Sequence, residues 1–444
     1  MRKSISPLHF VSAIILSIGA SNAHASAFQL IEQNASGLGN GYAGSAAIAD
    51  NASTIFFNPA GMTRLPGVNI SAGATAISTS FKFSNNGSTG PGGLPLGSNT
   101  GGDAGSLGVI PNAYISWQLN PDWFVGLGVN APFGLATSYN KSWIGRYQST
   151  SFSIETINVN PSIAYKVNDR LSLGAGVNWQ HLDADYRRNL PAAGLIAQLP
   201  NGLPPNLFQQ YAGQLAASPD MNARAELKGD AWGWNLGLLY QVTDDTRIGV
   251  SYRSKMKYNL SGTTTLSTIP GLFAGKLPGK VDNSADVTLP DTAIFSIVHD
   301  LNSKWQLLGD VSWTGWSSIP SLDINNGALG EDSLKLKFRD TWRVALGVNY
   351  QFNQRWQFKT GIAYDQTPIP NSSLRPTSLP DSDRIIASIG AQYRFNERTT
   401  IDVGYAHLFF HSSINNSTDP KKGTVSGDLQ TSADMLGVQM SYRF

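Results

Sequence analysis

The last nine residues constrain the fold most. Leu436, Val438, Met440, Tyr442 and Phe444 alternate with Gly437, Gln439, Ser441 and Arg443. A period of two belongs to an extended strand with one apolar and one polar face. A soluble sheet can also end this way. The features below favour a strand set between hydrocarbon and water, as in a membrane β-barrel.

Residues 1–25 read as a secretory signal. Arg2 and Lys3 form its basic region, Phe10 to Ala20 is an apolar run too short to span a bilayer, and Ala23-His24-Ala25 fits the small-x-small cleavage rule. The mature chain then starts at Ser26 and holds 419 of the 444 residues. There is no cysteine, so no disulfide and no lipid-modified amino terminus. Nothing after residue 25 resembles a transmembrane helix. An exported chain is periplasmic, secreted or in an outer membrane, and 45 glycines, 10% aromatics and 14% charged residues favour strands with many turns. Removing Arg2 and Lys3 from the 32 basic residues leaves 30, equal to the 30 acidic ones, which argues against a nucleic-acid partner.

One short signal recurs six times between strands: Asn120-Pro121-Asp122-Trp123, Asn168-Asp169-Arg170-Leu171, Thr243-Asp244-Asp245-Thr246, Asn302-Ser303-Lys304-Trp305, Asn353-Gln354-Arg355-Trp356 and Asn396-Glu397-Arg398-Thr399. Such pieces make tight hairpin turns. Longer polar or Gly-rich segments fall near 84–107, 135–150, 189–221, 262–281, 320–332, 369–380 and 413–426. Six short turns and seven long loops make thirteen connections and hence fourteen strands. An even count with short turns at one end and long loops at the other is the outer-membrane barrel pattern. No blade-length repeat supports a propeller, and a large soluble β-sandwich is the other architecture set aside.

Strand faces follow from parity. Trp342, Val344, Leu346, Val348, Tyr350 and Phe352 point one way, and Arg343, Ala345, Gly347, Asn349 and Gln351 the other. Likewise Ile248, Val250 and Tyr252 oppose Arg247, Gly249, Ser251, Arg253 and Lys255. The polar set faces the lumen, because a charge against mid-bilayer lipid costs about 2–4 kcal/mol. Residues 26–66 lack such alternation and precede the first clear strand near Val68. Phe28, Leu30, Ile31, Leu38, Ile48, Ile55, Phe56 and Phe57 make them too apolar for a solvated tail. A plug inside the barrel, with residues 67–444 as the barrel, is the expectation.

At this segment the chain resembles a known family. Ala27-Phe28-Gln29-Leu30, Ser36-Gly37-Leu38-Gly39, Ala47-Ile48-Ala49-Asp50 and Asn58-Pro59-Ala60-Gly61 are similar to the amino-terminal hatch of FadL-type outer-membrane long-chain fatty-acid transporters. The resemblance continues through Ala131-Pro132-Phe133-Gly134-Leu135-Ala136-Thr137, Tyr252-Arg253-Ser254, Thr288-Leu289-Pro290, Arg343-Val344-Ala345-Leu346-Gly347 and Pro380-Asp381-Ser382-Asp383-Arg384. It implies an all-β, fourteen-stranded antiparallel barrel, a hatch closing the periplasmic side, and passive diffusion of hydrophobic substrate through a gap in the wall. It also implies a monomer in the outer membrane that takes long-chain fatty acid and contacts membrane lipid.

Such transport needs capture, a pocket and an exit, because each CH₂ moved from apolar surroundings into water costs about 0.8 kcal/mol. For capture, Phe208, Tyr211 and Leu215 recur at helix spacing in the third long loop, and Leu266, Ile269, Leu272 and Phe273 stud the fourth. Apolar clusters on water-facing loops fit either a binding groove or loop-on-loop packing. For the pocket, Lys335, Lys337, Arg339, Thr341 and Arg343 share one parity, and of Arg187 and Arg188 only one can face the lumen. The resemblance places Arg339 at the family's basic position before an acidic residue and Phe28 in the pocket lining. An arginine can hold a carboxylate through two hydrogen bonds, although lumen charges also pair among themselves. For the exit, Pro111, Pro132 and Pro161 fall in expected strands 2, 3 and 4. Proline removes a ladder donor and is confined to edges, bulges or strand starts, so three of them in neighbouring strands point to a break bordered by Ala131, Pro132, Phe133 and Gly134. Ordinary bulges are the other reading. Asn58, Pro59 and Ala60 would latch the hatch to the wall.

Other signals carry less. Gly39-x-Gly41-x-x-Gly44 matches a dinucleotide fingerprint but follows no strand of a βαβ unit. His407 and His411 stand roughly 13 Å apart along a strand, too far to share a metal ion. No nucleophile elbow frames a serine. No catalytic residue, metal or cofactor is expected. The rivals are a channel for aromatic or aliphatic hydrocarbons, a barrel enzyme such as a lipase or protease, and a structural porin or adhesin.

Overall fold

The computed structural model describes residues 27–444, so the expected signal segment 1–25 and the cleavage point before Ser26 lie outside the described residues. Fourteen antiparallel strands close into a barrel. They are β1 (Val68–Asn85), β2 (Leu107–Gln118), β3 (Trp123–Asn130 and Gly134–Ser138), β4 (Ser151–Lys166), β5 (Leu171–Leu190), β6 (Met221–Gln241) and β7 (Thr246–Arg253 and Met256–Ser267). There follow β8 (Lys280–Leu289 and Thr292–Asp300), β9 (Trp305–Thr314 and Ser321–Asn325), β10 (Glu331–Lys335 and Thr341–Gln351), β11 (Trp356–Asp365), β12 (Arg384–Arg394), β13 (Thr399–Asn416) and β14 (Val425–Arg443). Closure is made by β1 and β14, paired from Asn69↔Arg443 to Asn85↔Gly427. Joining the first and last strands in this way removes the two free edges that an open sheet would present to lipid.

Five of the six short turns share one device. The side-chain oxygens of Asn120, Asn168, Asn302, Asn353 and Asn396 each accept two backbone N–H groups, two and three residues on. Next to these turns, aromatic pairs cross neighbouring strands: Trp123–Tyr165, Trp305–Tyr350 and Trp356–Tyr393, with ring centroids 4.4–4.6 Å apart. That is the girdle expected at a lipid–water interface. The strands run further than the sequence suggests at the opposite end. The loop expected over 262–281 is a connection of 268–279 only, and β13 and β14 extend to Asn416 and from Val425.

The two faces separate as parity predicts over Thr341–Gln351, where Trp342, Val344 and Leu346 are exposed and Arg343, Ala345 and Asn349 are buried. Parity fails at two irregular points. In β7 the pairing with β6 slips by one residue between Asn235↔Arg253 and Lys228↔Ser261. A one-residue slip reverses every later side chain, so Lys255 is not inward, and Met256, Tyr258 and Leu260 are. In β10, residues 336–340 leave the strand and Lys337 takes a φ of 47°, a conformation few residues other than glycine adopt. Leu336 and Phe338 turn inward there.

Residues 27–65 pack within the strands. Leu38, Ala43, Ala47 and Phe57 join one buried cluster with Leu239, Val298, Leu308, Ala363 and Leu408 from six different strands counting Ala345. The Gly41 and Gly44 spacing that mimics a nucleotide fingerprint serves the backbone: both residues have positive φ, 61° and 75°.

Candidate functional site

The wall is broken between β2 and β3. Their ladder runs from Gln118↔Phe124 to Ala113↔Val129 and stops. The next rungs would set Asn112 against Asn130 and Pro111 against Ala131. Backbone pairing across this seam resumes only where Ser138 N–H donates to Ala104 O, 3.1 Å away. The cause lies in β3, which carries one residue more than β4 between Asn130↔Asn158 and Gly134↔Glu155. This is a bulge centred on Pro132, and a bulge bends its strand away from one neighbour.

The freed polar groups are met from inside. Leu30 N–H donates to Pro132 O (2.7 Å), Gly134 N–H to Phe28 O (2.8 Å), and Gln33 Nε2 to Ala131 O (2.9 Å). Thr156 Oγ1 accepts Phe133 N–H at 2.9 Å. Residues 28–30 therefore run along the inner side of the break as a short extra strand.

Pro111 and Pro132 border the break, and Pro161 does not. Pro161 stays in register with Leu127 of β3. Towards β5, only its own rung and that of Asn160 drop out, with the register unchanged from Val159↔Trp179 to Ser162↔Gly176. Asn160 Nδ2 donates to Val177 O at 2.9 Å in place of the missing N–H. The expectation that all three prolines mark one opening is corrected accordingly.

Beside the break lies a buried apolar cluster. Phe28 stacks edge-on to Trp316 (4.9 Å between centroids) and tilts against Phe133 (5.9 Å), and Trp316 meets Phe338 at 5.9 Å. Leu135, Ile154, Leu182, Tyr258 and Leu379 complete the cluster. Towards the short-turn end, the interior becomes a belt of amides that sequence reasoning missed. Asn158 donates to Asn130 and Asn178 (3.2 Å each), while Asn160 and Asn178 donate to Asn235 (3.0 and 2.9 Å). Arg253 donates to Asn178 and, at 3.0 Å, to Phe56 O. The signal was available: Asn at inward positions in strands that are consecutive.

Asn58 fastens the inner segment to the wall. Its Nδ2 donates to Ala46 O (2.7 Å) and to Leu238 O of β6 (2.9 Å), and its Oδ1 accepts Ala60 N–H (3.1 Å). The approach is so close that a Cβ at Gly237 would collide with Asn58 Oδ1, and one at Gly174 with the backbone of Pro59 and Ala60.

The basic candidates fall in different places. Arg188 turns inward and meets Asp332 at 2.6 Å, and Lys422 meets the same carboxylate at 2.6 Å. Burial and the neighbouring Arg188 hold the Lys422 ammonium below its ordinary value. Arg187 faces outward onto Asp185 (2.8 Å). Arg339 is half exposed beside Asp383 and does not line the interior. Its expected inward parity is corrected, because the irregular 336–340 segment reverses the alternation. Deeper, Glu32, Arg343 and Arg384 are buried around a cavity of about 70 Å³. Burial pushes the Glu32 carboxyl up to about 7, partly offset by its own backbone N–H and by Arg384 and Arg343.

On the loops, Pro205–Ala217 forms the helix that the Phe208, Tyr211, Leu215 spacing suggests. Leu215 and Phe273 are buried together with Leu195, Leu199, Met221 and Leu266, and Tyr211 and Leu272 are partly buried against them. Phe208 is exposed.

Comparisons with known proteins agree with this architecture. Residues 16–444 match the family described as outer membrane protein transport protein (OMPP1/FadL/TodX). The chain is 30% identical over 454 residues to the long-chain fatty acid transport protein of Escherichia coli K12, covering 97% of each. It is 31% identical over 463 residues to outer membrane protein P1 of Haemophilus influenzae, covering 98% of each. A FadL homologue of Pseudomonas aeruginosa superposes with a TM-score of 0.83 at 26% identity, covering 94% of this chain and 99% of that one. The toluene transporter TodX of P. putida, at 20% identity and a TM-score of 0.70 over 93% of this chain and 98% of that one, shares the fold.

Proposed function

This chain belongs to the outer membrane protein transport family (OMPP1/FadL/TodX), and from that premise we propose that it carries long-chain fatty acids passively across the lipopolysaccharide leaflet. The barrel resides in the bacterial outer membrane. Residues 26–66 act as a hatch, and residues 67–444 as the barrel. Apolar loop side chains around Phe208, Tyr211 and Leu272 capture the substrate, and the apolar cluster around Phe28 receives it. Rearrangement of residues 28–34 uncovers the break beside Pro132, and the substrate leaves sideways into the membrane. No chemical step is involved.

The observation that carries this reading is the interrupted ladder between β2 and β3 next to a buried apolar cluster. Downward passage is opposed by the amide belt, since an acyl chain there displaces hydrogen-bonding groups and gains nothing in return. Sideways passage keeps every methylene in apolar surroundings, sparing about 0.8 kcal/mol each. The Lys422 and Arg188 pair, sharing one carboxylate, offers attraction for an anion on the way in. The test is oleate uptake by a Gram-negative host lacking its own outer-membrane fatty-acid transporter. No uptake above the empty host, with the barrel inserted and folded, rejects the reading.

A second reading, a channel for uncharged hydrocarbons, is favoured by one observation: Arg339 faces away from the interior and Arg188 is engaged by Asp332. Competition between oleate and toluene for the purified protein separates the two.

A further inference from the structure

The cavity beneath residues 28–32 has no part in the route described so far. Gln29 roofs it, with Nε2 donating to Thr292 and Oε1 accepting from Thr314. Glu32, Arg343 and Arg384 enter it at 2%, 6% and 3% exposure. Their hydrogen bonding is incomplete. Arg343 Nη2 donates to Gly41 O, while its Nε and Nη1 have no partner. Arg384 gives Nε to Asp365 (3.1 Å) and Nη1 to Asp381 (3.5 Å), while Nη2 has none. Glu32 Oε2 is likewise unmatched. Among the described residues, Arg343 makes no ion pair. Buried donors on a guanidinium are costly to leave open, and the planar fork of an arginine matches a carboxylate. The remaining lining is mixed: Ile31, Phe57, Ile386 and Leu408 suit methylenes, while Asp365, Asn235, Arg253 and the hydroxyls of Thr314 and Thr341 form its polar side.

We propose that this cavity is a second ligand station, where Arg343 and Arg384 hold the carboxylate of a fatty acid and Ile31, Phe57, Ile386 and Leu408 surround its first methylenes. The proposal rests on the fatty-acid reading above and deepens it. Glu32 fits beside an incoming carboxylate, because a carboxyl whose proton is released only near neutrality can donate to a neighbouring anion. The station also lies directly under residues 28–30, which cover the break in the wall. A head group here presses on the segment that must move.

The test uses the full chain in uncharged detergent, titrated with laurate, dodecanol and acetate. Arg343→Gln is expected to weaken laurate binding by about tenfold or more while leaving dodecanol unchanged, and Arg343→Lys to recover part of the loss. With ¹³C-carboxyl laurate, Glu32→Gln is expected to abolish a carboxyl chemical-shift change between pH 6 and 8 that the native protein shows. Equal losses for laurate and dodecanol mark a merely structural arginine and overturn the proposal. So does unchanged laurate binding, or a cavity holding only water in the laurate complex. Acetate binding as tightly as laurate would mark a plain anion site and overturn the acyl assignment. If the native protein binds neither laurate nor dodecanol, the transport reading itself fails. If it binds both and Arg343→Gln changes nothing, only this station fails.

Discussion

Deleting Pro132 should shut the transporter without unfolding it. β3 holds one residue more than β4 across the bulge, so removing one residue lets Trp123–Asn130 and Gly134–Ser138 fuse in a single register. The straightened strand then faces Leu107–Asn112 of β2, six residues that now lack partners on that side. About six hydrogen bonds would form. In an apolar medium each is worth about 4–6 kcal/mol, so reopening the seam costs about 24–36 kcal/mol. Even ~24 kcal/mol corresponds to roughly one passage per day. The assay is labelled-oleate uptake by whole cells, paired with oleate binding to the purified variant and heat-modifiable migration as a check on barrel folding. Uptake should fall to background while binding at the apolar cluster persists. Native-level uptake by a folded ΔPro132 barrel with a continuous β2–β3 ladder would refute the lateral route.

Further outcomes test the surrounding parts. Asn58→Ala removes bonds to Ala46 O and Leu238 O, so protease access to residues 40–60 should rise in intact barrels. Gly237→Ala should do the same by collision with Asn58 Oδ1, and resistance equal to the native protein in both would discount the latch. Phe28→Ala empties an aromatic site packed on Phe133 and Trp316, which costs about 3–5 kcal/mol in a core. It should show as faster amide exchange at residues 28–34 and weaker oleate binding. The Glu32 carboxyl is raised from 4.5 to about 7 by burial, so the native state holds a proton that the unfolded chain releases. Stability of residues 28–34 therefore falls as pH rises from about 4.5 to 7 and levels off above, by up to about 3 kcal/mol. Exchange at these amides should be faster at pH 8 than at pH 5.5 beyond the intrinsic rate, and Glu32→Gln should flatten the difference.

Much of the fold was legible because its signals are local. A period of two needs only neighbouring residues, and an Asn that caps a turn needs only the next three. Hence the start at Val68 and the six turns could be read directly, while the count of fourteen strands leaned also on the family resemblance. The apolar cluster was legible only through resemblance at Phe28. What failed depended on register. Arg339 belonged inward by simple counting, and five irregular residues reversed it. Lys255 failed for the same reason, one bulge earlier. Pro161 looked like Pro132 in the sequence, yet its neighbour Asn160 mends the lost rung across the strand.

The amide belt and the Glu32 cavity expose a deeper limit. Asn158 and Asn160 are ordinary inward polar residues until β5 and β6 place Asn178 and Asn235 beside them. Glu32 is an ordinary exposed acid until the barrel closes around it. Closure is thus what turns scattered polar positions into a directional device. One wall of the interior, β3 to β6, becomes an amide floor under the opening, while the opposite wall, β10 to β12, carries Arg343 and Arg384. An amphipathic acid above that floor finds cations on one side and a breach to lipid on the other. Its polar head and apolar tail are drawn in opposite directions, an arrangement that favours a tail-first sideways exit. A prediction follows that no single residue carries: converting Asn158 and Asn160 together to Leu should weaken the floor and let part of the oleate reach the periplasm directly. Delivery to a periplasmic fatty-acid-binding probe should therefore become independent of the breach in a ΔPro132 background. If the triple change still delivers none, the floor is not what enforces the direction.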